Sequence, residues 1–143
     1  MQLDVLVTSP SLGFDLQEKK RGRMLFSAFD LVHDFLLHAI FESDEMVTAL
    51  PDEVRSFLKG WFETVEFLRQ HKAETVAAEP ARSHHSQAVE NREYDLVMPM
   101  FSSTGKFEPS ALAVLADSFV DMKILPQRPD LRRYYTEEFL PGK

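Results

Sequence analysis

The sequence predicts an α/β fold, with short strands first and helices after them. Three observations carry that prediction. Three short apolar stretches, at residues 3–7, 24–29 and 35–41, enclose one helical stretch, and the order strand, helix, strand builds an α/β unit. From residue 51 onward apolar residues return at three- and four-residue steps, the period of a helix. Prolines and Ser/Thr/Gly clusters punctuate the chain between these stretches.

The first strand is read at residues 3–7, rich in β-branched side chains and stopped by Thr8-Ser9-Pro10. Residues 14–20 form the first helix, with Phe14 and Leu16 inward. The cations Lys19, Lys20 and Arg21 stand at its negative end, and Gly22 serves as C-cap. Residues 24–29 are the second strand. The third, Phe-Leu-Leu-His-Ala-Ile-Phe at 35–41, is a dense apolar run whose period does not by itself separate buried strand from helix.

Residues 51–70 carry the strongest signal. Pro51 suits the first helical position, and Asp52 and Glu53 suit the positive end of the dipole. Val54, Phe57, Leu58, Trp61, Phe62, Val65 and Leu68 share a face, so the aromatic stripe is read as helix core. Gly60 inside that helix costs about 1 kcal/mol relative to alanine and points to a backbone passing close by. A shorter helix follows at 72–78 before Pro80, then a polar loop at 81–86 with Ser83 as a helix cap. A helix at 87–98 ends before Pro99, and residues 102–105 turn. Pro109 opens a helix to 122 that presents Leu112, Leu115, Phe119 and Met122 on one face. The tail from 124, with Pro126, Pro129 and Pro141, is an extended cover with one helical turn near 130–134.

Composition narrows the function classes. The chain has 143 residues and suits one compact domain with a real core. Its 16 basic and 23 acidic side chains give a net charge of −7, which opposes sequence-independent binding to nucleic acid. The absence of cysteine removes disulfides, thiolate catalysis and cysteine zinc sites. No apolar run approaches the roughly 20 residues that span a bilayer, and residues 1–7 lack the basic leader of a secretory signal. Neither a Gly-x-Ser-x-Gly elbow, a phosphate loop nor His-Glu-x-x-His is present, so the chain is not expected to be an enzyme. The pairs Asp44-Glu45, Asp52-Glu53 and Glu137-Glu138 are neighbours in sequence only.

The order of these elements resembles one family. The residues that carry the likeness are Thr8-Ser9-Pro10, a helix ending Lys19-Lys20-Arg21-Gly22, Phe41-Glu42-Ser43-Asp44, and the run from Leu50-Pro51-Asp52-Glu53 to Lys59-Gly60-Trp61. Arg92-Glu93-Tyr94-Asp95, Met98-Pro99-Met100-Phe101-Ser102, Gly105 and the ending Tyr135 to Pro141 continue it. Together they resemble the C-terminal half of the periplasmic solute-binding proteins of nitrate/sulfonate/taurine-type ABC importers, also described as NMT1- or thiamine-precursor-like. The likeness covers nearly the whole chain, and its strength lies in order and spacing.

That resemblance implies a partial type 2 periplasmic-binding-protein fold, in which two α/β lobes hold solute in a cleft. Residues 1–43 would be an α/β segment of the second lobe, with the crossing strand at 35–43, and residues 44–143 a helical segment and tail. It implies a solute-binding component, or a truncated remnant of one, that captures a small anionic or heterocyclic solute without covalent chemistry. An ABC permease would be its partner and the periplasm its location, although the chain itself shows no export signal. The opposing lobe is not recognised in these residues, so a homo-oligomer or a missing-lobe partner is expected. The alternative is a dimeric interaction or assembly module of the same origin without solute binding. Thiamine-precursor enzymes of this superfamily use a cysteine-rich motif, which this chain lacks.

The candidate binding residues are Thr8, Ser9, Pro10 and Ser11. They follow the first strand and precede a helix, the place where open α/β sheets hold ligands, and the corresponding loop of the resembled family lines its cleft. No cofactor and no metal site is expected. His33 and His38, near Asp30 and Asp34, stand five residues apart, which does not bring two imidazoles to one face of a strand. The adjacent His84 and His85 are read as solvated loop, and His71 as a favourable charge at a helix end.

Overall fold

The computed structural model describes residues 4–36, 38–79 and 83–142. Its elements are helical: α1 (Pro10–Glu18), α2 (Asp44–Ala49), α3 (Pro51–Gln70), α4 (Lys72–Ala78), α5 (Gln87–Val97) and α6 (Pro109–Asp121). Single 3-10 turns form at Ala28–Asp30, Met98–Met100 and Leu131–Arg133.

This overturns the α/β expectation. The structure is 56% helix, and among the described residues there is neither strand nor sheet. Of the three expected strands, Val5, Leu6 and Val7 are exposed, residues 24–27 are irregular, and Phe35, Ile40 and Phe41 lie at the surface, Phe41 91% exposed. Leu3 and residue 37 lie outside the described residues. The physical reason is that a strand is not a local object. Its amides and carbonyls are satisfied only by a neighbouring ladder, whereas a helix bonds to itself. Short apolar runs without a ladder partner remain irregular. A partial periplasmic-binding-protein sheet is therefore not formed by the described residues among 1–41.

The helices keep close to their sequence signals where those signals are local. α3 and α4 start and stop where expected, and α5 and α6 each end within one residue of the expectation. Pro51 and Pro109 both sit in the first turn, where the missing N–H breaks no bond. Helix α1 starts four residues and ends two residues earlier than expected, because Pro10 opens it. It ends through Lys20, whose φ of 54° is left-handed. Arg21 N and Gly22 N then reach back to Leu16 O at 2.8 and 3.3 Å, so Lys20 takes the place expected of Gly22. Helix α2 has no counterpart in the sequence reading. Ser43 caps it by accepting from Met46 N at 3.1 Å, and Asp44 and Glu45 stand in its first turn.

The chain packs as two compact units, Met1–Ser27 with Thr64–Phe101, and Ala28–Glu63 with Ser102–Lys143. In the first unit Phe14, Val65, Val76, Val89 and Met98 are buried. Arg92 of α5 lies 4.0 Å over the Phe14 ring and donates to Gln17 at 3.1 Å, which ties α5 to α1. Tyr94 Oη donates to Leu68 O at 2.7 Å, and Lys72 pairs with Asp95 at 2.5 Å, which ties α5 to the end of α3 and to α4. Arg69 donates to the carbonyl of Phe101.

In the second unit Ala116 and Phe139 are buried. Arg55 lies 5.1 Å over Phe139, Phe107 packs at 4.6 Å on Tyr135, and Glu137 accepts from Phe107 N at 2.9 Å, so the tail covers the helices as expected. Ser102 closes its turn by accepting from Gly105 N at 2.8 Å. Two expectations for α3 are corrected. Phe57 and Trp61 are exposed at 57% and 38%, so only part of the aromatic stripe is core. At Gly60 a Cβ would meet nothing within 4 Å, so no packed neighbour occupies the side-chain direction there.

Candidate functional site

Thr8, Ser9, Pro10 and Ser11 form the N-terminal edge of α1. Ser9 occupies the N-cap with an extended backbone, its side chain makes no capping bond, and its carbonyl accepts from Gly13 N at 3.1 Å. Its hydroxyl lies instead 3.2 Å from that of Ser11. The strand expected ahead of them is not formed, so the four residues do not stand at the edge of a sheet.

Nearby, Gln17 and Glu18 of α1 and Ala88, Val89 and Arg92 of α5 line an open depression of about 280 Å³. Its polar groups are already engaged. Glu18 accepts from the Ser86 hydroxyl at 2.6 Å, and Arg92 is held over Phe14 with a bond to Gln17.

A second group of polar side chains gathers where the chain enters α5. Ser86 is the N-cap and accepts from Val89 N at 3.2 Å, which places Glu90 and Glu93 one turn apart on the same face. His84 takes a left-handed φ of 63°, and this turn sends His85 back toward that face, with His85 N donating to Ser83 Oγ at 3.2 Å. Each of His85, Glu90 and Glu93 offers a donor atom, and these lie within 4.8 Å of one another. Glu90 is 5% exposed, and its Oε1 accepts from the Ser83 hydroxyl and stands 3.5 Å from His85 Nδ1. His85 Nδ1 is itself enclosed and has no hydrogen-bond partner among the described residues.

The sequence reading placed His84 and His85 together in a solvated loop. The structure separates them: His84 is exposed and His85 is half-buried against two carboxylates. The signal that finds the group is His-x4-Glu-x2-Glu, one imidazole ahead of a helix and two carboxylates at i and i+3 within it. Elsewhere histidines have plainer roles. His71 stacks on Phe67 at 4.1 Å at the end of α3, and His33 and His38 are exposed. The paired carboxylates are helix starts or turn acceptors: Asp52 pairs with Arg55 at 3.2 Å, and Glu137 accepts from a backbone amide.

Among the described residues no helix is long and apolar enough to cross a membrane. Comparison with family models, with curated proteins and with solved structures finds no match to this chain.

Proposed function

We propose that this chain serves as a solute-binding component, or a remnant of one, of an ABC-type importer. The observation that carries the reading is the placement of the helices. α3, α5 and α6 form over residues that carry the family resemblance, Pro51 to Trp61, Arg92 to Val97 and the helix from Pro109, with the tail ending at Pro141 packed through Phe139. In this reading the solute is a small anion or heterocycle held without covalent chemistry, the partner is an ABC permease, and the location is the periplasm. Because the described residues among 1–41 form no sheet, solute contacts fall to helix ends and loops. The edge of α1 at Thr8, Ser9, Pro10 and Ser11 contributes hydroxyls and amides suited to an anion. The test is the thermal unfolding midpoint of the protein against a panel of small anions, sulfonates and pyrimidines, since a ligand of the folded state raises it by mass action.

A second reading is favoured by a separate observation. In the unit that contains 28–63, Leu31, Val32, Phe35, Ile40, Phe41 and Phe57 are exposed at 40% or more. Apolar surface of this kind marks association when it is contiguous. A dimeric assembly module without solute binding accounts for it. Sedimentation at micromolar concentration separates the two: a dimer with no solute response supports the assembly module, and a solute response supports capture.

A further inference from the structure

We propose that His85, Glu90 and Glu93 form a site for a single divalent transition-metal ion that fastens the loop ahead of α5 to the helix. The proposal stands on residues that the importer reading does not use.

A carboxylate and an imidazole nitrogen withdrawn from water demand compensation, because a buried polar atom without a partner costs more than it does in solvent. Glu90 is 5% exposed and receives a bond from the Ser83 hydroxyl. His85 Nδ1 has no hydrogen-bond partner among the described residues, although it is enclosed and faces the Glu90 carboxylate at 3.5 Å. An enclosed imidazole nitrogen without a hydrogen-bond partner among the described residues, facing a buried carboxylate, is an arrangement suited to a cation.

The dimensions fit. Two ligands about 2.1 Å from a tetrahedral ion stand roughly 3.4 Å apart, close to the His85–Glu90 separation. Three donor atoms within 4.8 Å need only a small closing movement to share an ion. Glu93 is half-buried and stands on the first turns of α5, so it swings through side-chain rotation alone. One imidazole nitrogen with two carboxylates is a mixed set that suits zinc or manganese rather than calcium or magnesium, which take all-oxygen sites. Three protein ligands leave room for water or a further ligand as the fourth. Ser83 bonds the same oxygen of Glu90 that faces the imidazole, which fixes the carboxylate as outer partners of metal ligands do.

The consequence is structural. The Ser83 hydroxyl already links this loop to Glu90, and an ion bridging residues 85, 90 and 93 would add its binding energy to the folding of the loop.

Zinc ion is the probe. The full chain, stripped with a chelator, is titrated with zinc by calorimetry and its unfolding midpoint is followed in parallel. Wild-type protein is expected to bind one equivalent and to melt at a higher temperature. His85→Ala and Glu93→Gln are expected to lose both responses while their metal-free midpoints stay near wild type. Ser83→Ala is expected to bind about tenfold more weakly, and His84→Ala is expected to bind as wild type does. If zinc binds equally to wild type, His85→Ala and Glu93→Gln, or raises no midpoint, the site does not exist.

Discussion

A Cβ on Gly105 would stand 2.6 Å from Cζ of Phe62, so the turn after the 3-10 segment is closed against the side of α3. The same atom would meet Leu140 Cδ2 at 2.5 Å, and Gly105 holds a φ of +75° that side chains rarely adopt. Gly105→Ala therefore carries two penalties, backbone strain and displacement of two packed side chains. Urea unfolding is expected to show a loss of about 1–3 kcal/mol.

Arg92 fastens α5 to α1 by covering the Phe14 ring at 4.0 Å while donating to Gln17. Arg92→Ala is expected to cost about 1 kcal/mol, with Arg92→Lys restoring part of it, because an ammonium keeps the charge over the ring but not the fork of donors. Denaturant midpoints of the two variants check the order.

Ser86 caps α5 and also donates to Glu18 at 2.6 Å. Ser86→Ala is expected to lose about 1 kcal/mol for the cap. The Val89 N–H loses its acceptor, so its amide exchange is expected to be faster than in wild type.

Asp130 titrates below the usual carboxylate range, chiefly because the Arg132 side chain donates to it at 2.8 and 2.9 Å. A depressed folded value means that its contribution to stability is present above the unfolded-state value, near pH 4, and is lost as pH falls further through the folded value. Arg132→Ala is expected to move the Asp130 titration upward, read by carboxyl NMR shifts. An unchanged titration would remove the pairing.

The helices were legible because their causes are local. Pro51 and Pro109 mark starts, the three- and four-residue apolar period runs through Val54, Leu58, Phe62 and Val65, and Pro80 and Pro99 stand just beyond the ends of α4 and α5. The strands failed because Val5-Leu6-Val7 and the apolar run at 35–41 carry no information about a ladder partner, and none is formed among the described residues. Helix α2 was missed because six residues with Met46 and Val47 as their large apolar side chains give no period to read, although Ser43 before Asp44 and Glu45 is a capping signature. At the candidate site, Thr8 and Ser9 precede α1 while Pro10 and Ser11 lie within it, and the expected strand ahead of them is not formed among the described residues. The His85 group was hidden for a different reason. Its convergence depends on the left-handed turn at His84, and a histidine in that conformation is not announced by its neighbours in sequence.

Capture of a small solute is the proposed function. Its most direct measurement is the thermal midpoint of the purified protein in millimolar solutions of each member of the anion, sulfonate and pyrimidine panel. One chemical class is predicted to raise the midpoint in a saturable manner, by about 5–10 °C at a hundredfold excess over its dissociation constant. A midpoint that none of them moves would contradict capture and leave the assembly module as the reading of the fold.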